Sequence, residues 1–151
     1  MNDVLLQGWI DGRLTLARVK EWQPKEFQLL LMLGFTLHEQ GRSEEAAIIF
    51  EGLATLDPKS AYSHSALGAA YLRLEEDEKA LTHLNMALQL DARDISAYLN
   101  RAELFMKQNN YQQAQADLEM AIKVGATLGM RNQAIRRAQG LLNTAKRLQG
   151  Y

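Results

Sequence analysis

Apolar residues recur along the chain at intervals of three and four, the spacing that places them on one face of an α-helix. Short polar turns separate these segments, among them Gly41, Asp57-Pro58 and Asn109-Asn110. No segment shows the strict alternation of apolar and polar residues that is typical of a half-buried β-strand. The pattern therefore predicts an all-α chain built from short helices.

The helical pattern repeats with a period of 34 residues. A shift by this period places Leu33-Gly34 on Leu67-Gly68. The further matches are Leu37 with Tyr71 and Phe105, Ala46 with Ala80 and Ala114, Phe50 with Leu84 and Leu118, Leu53 with Ala87 and Ala121, and Leu56 with Leu90 and Val124. These positions match the pattern W-x2-L-G-x2-Y, A-x3-F and P of the tetratricopeptide repeat (TPR). The chain thus resembles TPR proteins.

This resemblance implies a TPR superhelix of three helix-turn-helix repeats, at residues 27–60, 61–94 and 95–128. Residues 1–26 would then hold an N-terminal helix and residues 129–151 a basic capping helix, which solenoids need to cover their last apolar edge. We expect Gly34, Gly68 and Ala102 to face Ala46, Ala80 and Ala114 of each second helix, because helices approach closely where side chains are small. Ser43 is the expected N-cap of a second helix, and residues 125–129 the expected turn into the cap.

The N-terminal segment carries Leu5, Trp9, Leu16 and Val19 at helical spacing, which predicts an amphipathic helix. An exposed apolar stripe is unfavourable in water, so this helix is expected either to pack on the first repeat or to join two subunits. The sequence leaves monomer and dimer open.

Composition narrows the class of protein further. The 151 residues suffice for one domain, and 47% hydrophobic with 23% charged residues is typical of a soluble globular chain. Cysteine is absent, and neither a leader peptide nor a run long enough to span a membrane is found, so secretion and membrane insertion are not expected. The last 21 residues carry five basic side chains and no acidic one. On an otherwise acidic chain this favours a solvated or intramolecularly paired helix over nucleic-acid binding.

Candidate chemistry is scarce. His38, His64 and His83 are the only histidines, and His64 is expected to be a packing or hydrogen-bonding residue. The acidic run at 75–78 is typical of a solvated helix N-terminus rather than a metal site. With no phosphate-binding loop, zinc spacing or catalytic constellation, the sequence predicts neither an enzyme nor a cofactor or metal.

Function is therefore expected in the concave groove, which the first helix of each repeat lines. Positions two, five, nine and twelve of the repeats predict the following groove residues: Gln28, Leu31, Phe35, His38, Tyr62, Ser65, Ala69, Leu72, Ser96, Leu99, Glu103 and Met106. Leu31 and Met106 are open between groove and core. This mainly apolar set favours an extended apolar segment of another protein as partner. Leu31, Phe35, Ser96 and Asn100 stand where TPR proteins that grip acidic C-termini carry the polar and basic side chains of a carboxylate clamp, so that role is not expected.

A narrower resemblance comes from the stretch FEGLATLDPKSAYSHSALGAAYLRLEEDEKAL at residues 50–81. With the N-terminal helix and the cap, it is similar to bacterial type III secretion chaperones of the translocator class. The resemblance implies a cytoplasmic bacterial chaperone, homodimeric through its N-terminal helix, that holds a translocator segment in the groove until export. The alternative is a TPR scaffold that remains in a multiprotein complex.

Overall fold

Seven α-helices follow one another in the computed structural model, which describes residues 24–150. They are α1 (Pro24–Glu39), α2 (Ser43–Leu56), α3 (Ala61–Arg73), α4 (Asp77–Leu90), α5 (Ile95–Lys107), α6 (Tyr111–Thr127) and α7 (Gln133–Leu148). No strand occurs between residues 24 and 150, so the all-α prediction is confirmed there. The predicted N-terminal helix, with Leu5, Trp9, Leu16 and Val19, lies outside the described residues.

The helices pack in sequence order, each against the next. In addition α1, α3, α5 and α7 contact one another in succession, whereas α2, α4 and α6 form no comparable contacts among themselves within residues 24–150. The odd-numbered helices therefore lie on the inner side of the array. This is the arrangement in which stacked helix pairs produce a concave surface.

Local sequence signals set the helix ends. Ser60, Asp94 and Asn132 precede α3, α5 and α7, and each side chain accepts a hydrogen bond from a backbone N–H of the first turn. Gly41 adopts a φ of +81° in the turn after α1, as the sequence predicted. The equivalent residues of the next repeats, Glu75 and Asn109, adopt φ values of 59° and 61°.

The predicted N-cap at Ser43 is wrong. Arg42 occupies the N-cap position of α2, while Ser43 is the first helical residue and is buried. The Arg42 guanidinium reaches forward to the carboxylate of Glu45, with Nε 2.6 Å from Oε1. This ion pair spans the first turn, and the N-cap residue of α2 makes no side-chain hydrogen bond to the backbone there.

The small residues of the first helices do allow close approach, but to larger partners than expected. A Cβ atom added to Gly34 would lie 2.5 Å from Cε1 of Phe50, and one added to Gly68 would lie 2.5 Å from Cγ of Leu84. Ala46 and Ala80, the predicted partners, lie one turn earlier. The carbonyl oxygen of Ala80 lies 3.4 Å from the added Cβ of Gly68. The missing side chain therefore makes room for a bulky core residue.

The core runs through all seven described helices. Its largest fully buried side chains are Leu37, Ile49, Phe50, Leu67, Leu84, Leu104 and Leu118. At the C-terminal end, Ile135, Ala138 and Ala145 of α7 are buried in the second of two apolar clusters. Gly125 lies inside α6 rather than in the predicted turn. A Cβ at this position would collide with Ile135, so the missing side chain makes room for α7. The turn into α7 begins at Leu128.

Candidate peptide-binding groove

A groove of 470 Å³ runs along the inner side of the array and is centred on α3. Residues of α1 form one wall, α5 and its N-cap form the other, and α7 closes one end. The lining residues are Phe35, His38, Tyr62, Ser65, Ala66, Ala69, Asp94, Ser96, Leu99, Asn100, Gln133, Ala134 and Arg137. Four helices from different parts of the chain thus build one surface.

Two aromatic rings dominate the α1 side of the groove. The Phe35 ring lies 5.2 Å from the ring of Phe50 and 5.4 Å from that of Tyr62, centroid to centroid, at 56° in both cases. Phe35 is thereby anchored to the core through Phe50. Tyr62 is 57% exposed, so its ring presents apolar surface to the groove. Leu99 of α5 is buried and supplies the apolar wall opposite.

Polar groups at the rim are held by neighbours within the array. Asp94 accepts a hydrogen bond from the backbone N–H of Ala97 at 2.9 Å. Arg137 of α7 forms an ion pair with Glu103 of α5. His38 is half-buried, and burial together with the neighbouring Arg73 lowers its pKa, which favours the neutral ring. The groove therefore combines an apolar floor with a rim whose charges are largely balanced.

The structure brings seven of the predicted groove residues together in this cavity. They are Phe35, His38, Tyr62, Ser65, Ala69, Ser96 and Leu99. The others lie outside its lining. Leu31, Leu72 and Met106 pack against the apolar clusters, Glu103 pairs with Arg137, and Gln28 is exposed at the start of α1.

Sequence reasoning missed the contribution of α7, which supplies Gln133, Ala134 and Arg137. This helix was predicted only as a cap. The period of 34 makes Arg137 the equivalent of the predicted groove residue Glu103, and their opposite charges at that spacing are a usable signal. Ala66, Asp94 and Asn100 were also absent from the predicted set. Asp94 lies in a junction between repeats, which a count restricted to first helices does not include.

Comparison with known proteins agrees with this geometry. The tetratricopeptide repeat family model matches residues 27–60 and 95–124. A curated relative, protein CTR9 homolog of Arabidopsis thaliana, is 31% identical over 98 residues, which are 63% of this chain and 9% of that protein. The chain thus spans about a tenth of the length of this relative.

Solved structures share the fold over most of the chain. The type III secretion translocator chaperone SycD of Yersinia enterocolitica has a TM-score of 0.78 at 19% identity, covering 90% of this chain and 94% of SycD. PcrH in complex with the chaperone binding region of PopD has a TM-score of 0.78 at 22% identity, covering 85% and 97%. The first TPR of Spaghetti (RPAP3) bound to an HSP90 peptide has a TM-score of 0.73 at 19% identity, covering 85% and 97%.

The chain thus contains tetratricopeptide repeats, and residues 24–150 have the TPR fold. Its superhelical fold is that of the type III secretion translocator chaperones, and it is shared with TPR domains that bind other polypeptides. Proteins of this fold are in general protein-interaction modules without enzymatic activity. Between residues 24 and 150, every helix is too short or too polar to cross a bilayer.

Proposed function

We propose that this chain is a bacterial type III secretion chaperone that holds an extended apolar segment of a translocator in its groove before export. The fold supports this proposal, because it matches SycD and PcrH over 85% or more of the chain. A translocator with exposed apolar segments would aggregate unless those segments were covered. The proposal places the chain in the cytoplasm, where the client is made.

The observation that carries the proposal is the exposed Tyr62 ring beside Phe35. Phe35 is fixed by Phe50, and it holds Tyr62 from one side, so that the two rings form a preorganised apolar surface. An apolar side chain placed between Tyr62 and Leu99 would be removed from water on both sides. Burying such a side chain stabilises a complex by about 1.5–3 kcal/mol.

The charges of the groove argue against an acidic peptide as partner. Arg137 is the one arginine or lysine in the described lining, and its guanidinium forms an ion pair with Glu103. Asp94 adds a negative charge on the wall formed by α5 and its N-cap. A terminal carboxylate would therefore have to compete with Glu103 for its cation, whereas an apolar segment leaves the pair intact.

Replacement of Tyr62 by glutamine tests the groove assignment. More than half of the side chain is exposed, so Tyr62→Gln is expected to leave folding intact while the client binds about five- to thirtyfold more weakly, equivalent to about 1–2 kcal/mol. The measurement is titration calorimetry with a peptide carrying the chaperone binding region of PopD. Leu148→Gln is the matched control, since Leu148 is 55% exposed and lies outside the groove lining. Equal affinities for the two variants would contradict the proposal.

A permanent TPR scaffold is the second candidate function. It is favoured by the RPAP3 domain, which has the same fold and is bound to an HSP90 peptide. The two functions differ in what happens to the partner. A chaperone releases its client on export, whereas a scaffold stays in the complex. Affinity purification before and after secretion is induced distinguishes them: loss of the partner supports the chaperone, and retention supports the scaffold.

A further inference from the structure

Two histidines face each other directly behind the groove. His64 of α3 is 4% exposed, and its Nδ1 lies 3.0 Å from Nδ1 of His83 on α4. The rings are stacked with centroids 5.3 Å apart and planes inclined by 17°. The other nitrogen of His64, Nε2, lies 2.9 Å from the carbonyl oxygen of Pro58. We call His64 and His83 the histidine pair.

The contacts determine where the protons of the neutral pair lie. A carbonyl oxygen only accepts, so Nε2 of His64 donates to Pro58 and Nδ1 of the neutral His64 ring is an acceptor. Nδ1 of His83 must then donate across the 3.0 Å contact. One further proton can be placed on Nε2 of His83 without disturbing this bond. A second would have to go to Nδ1 of His64, where two N–H donors on two cations would face each other.

The equivalent positions of the other repeats are built differently. The first repeat has Leu30 and Ile49, both buried in one apolar cluster. The third has Tyr98 and Asp117, and Asp117 is held by the Arg101 guanidinium at 2.6 and 2.8 Å. Of the three helix pairs in residues 24–150, the middle one is therefore joined at this position by two imidazole rings.

Other titratable groups surround the histidine pair from several helices. On α3, Tyr71 stacks on His83 at 5.6 Å and donates to Glu51 of α2. Lys79 of α4 lies over the Tyr71 ring and pairs with Glu76, which precedes α4. From α5, Arg101 reaches α4 at Asn85 while it remains paired with Asp117. Burial and His64 lower the pKa of His83, and Glu51 opposes them. Among the described contacts the His64 ring meets only His83 and the Pro58 carbonyl, so no carboxylate is placed to stabilise a second proton there.

We propose that the histidine pair is a proton-sensitive junction whose double protonation separates α3 from α4 and thereby loosens the groove. The junction is part of the fold whether or not a client is bound. Its effect on binding rests on the proposed function. Tyr62, Ser65 and Ala66 of the groove lie within two residues of His64 on α3, so a movement of α3 would reach the groove. Acidification would then weaken client binding together with the middle repeat.

The direction of the pH effect follows from proton counting. In the unfolded chain both histidines bind protons with a pKa of about 6.5, whereas the intact junction accommodates at most one. Stability is therefore fully present above about pH 6.5 and is lost as the pH falls below it. One excluded proton lowers the folding equilibrium constant about tenfold at pH 5.5 relative to pH 7.5.

The test compares the full chain with the variant His64→Leu/His83→Ile, which installs the residue types of the first repeat. Urea unfolding at pH 7.5 and 5.5 is expected to show an acid-induced loss at least about tenfold larger for the unmodified chain. Equal losses would overturn the proposal. If the double variant is too poorly packed to compare, NMR titration of the histidine rings in the unmodified chain decides the question. Two independent titrations near pH 6.5, with no shift of the Tyr62, Ser65 and Ala66 amides, would also overturn it.

These measurements need no client, so they are independent of the proposed function. A fluorescent peptide carrying the chaperone binding region of PopD adds the binding arm, at the same two pH values. Weaker binding at pH 5.5 for the unmodified chain, but not for the double variant, supports coupling between junction and groove. Unaltered pH dependence in the double variant would contradict that coupling.

Discussion

At the scale of single residues, the crossing of α3 and α4 depends on the absence of a side chain. Gly68→Ala would place a Cβ 2.5 Å from Cγ of the fully buried Leu84. We expect this substitution to destabilise the protein by about 1–3 kcal/mol through overpacking. Urea denaturation measures the loss.

Gly140→Ala provides the matched control for that experiment. Gly140 is an exposed residue inside α7, and no atom lies within 4 Å of a Cβ added there. Alanine is the better helix former, so this change should stabilise the protein by about 0.5–1 kcal/mol. Similar effects of the two alanines would show that helix propensity, rather than the contact with Leu84, governs both positions.

Much of this residue-level picture was accessible from the sequence. The period identified Gly34 and Gly68 as small-residue positions, but it did not identify Phe50 and Leu84 as the groups that approach them. A repeat pattern states which positions correspond, whereas the direction of a side chain across a helix crossing is set by the tertiary geometry. The contact between His64 and His83 was missed for the same reason.

At the scale of helices, the boundaries follow from local chemistry and were largely predicted. Gly41 follows α1 in a turn that the sequence predicted, and Pro24 and Asp94 mark the starts of α1 and α5. Ser43 was assigned the wrong role, because α2 already begins at Ser43 and the N-cap position falls on Arg42. The groove residues Gln133 and Arg137 of α7 were missed because the groove positions were counted in three repeats only, although the continued period places both at groove positions.

Removal of α7 is expected to damage the array well beyond the deleted residues. A chain ending at Leu128 would expose the surface of α6 that contacts Ile135, Ala138 and Ala145. Each large apolar side chain returned to water costs about 1.5–3 kcal/mol. We expect a markedly lower melting temperature by circular dichroism and binding of a hydrophobic dye. A chain ending at Leu148 keeps α7 and should behave like the full chain; equal melting of the two truncations would contradict a capping role.

At the scale of the whole molecule, we propose that residues 1–22 mediate a homodimer through Leu5, Trp9, Leu16 and Val19. These side chains share helical spacing in the sequence, and α1 presents the exposed Leu29 and Met32 immediately after them in the chain. Light scattering is expected to give twice the chain mass for the full protein and the single-chain mass once residues 1–22 are deleted. An unchanged mass after the deletion would exclude this segment as the dimer contact.

The superhelix itself was predictable because a regular period fixes the neighbours of every repeat. The detailed surface of the groove was not, since it depends on how far the array bends. That bend brings Gln133 and Arg137 of α7 next to residues of α3 that precede them by more than sixty positions. The sequence contains no local signal for a meeting at that distance.

The position of α7 at the end of the groove has a consequence for the evolution of such arrays. Because Gln133, Ala134 and Arg137 form an end wall, the number of helix pairs ahead of α7 determines how much polypeptide can be accommodated. Inserting one more pair would move that wall outward. It would also separate Arg137 from Glu103, the ion pair that joins α7 to α5. The number of repeats thus sets the length of the groove, and a longer bound segment would require a new end wall as well as an added repeat.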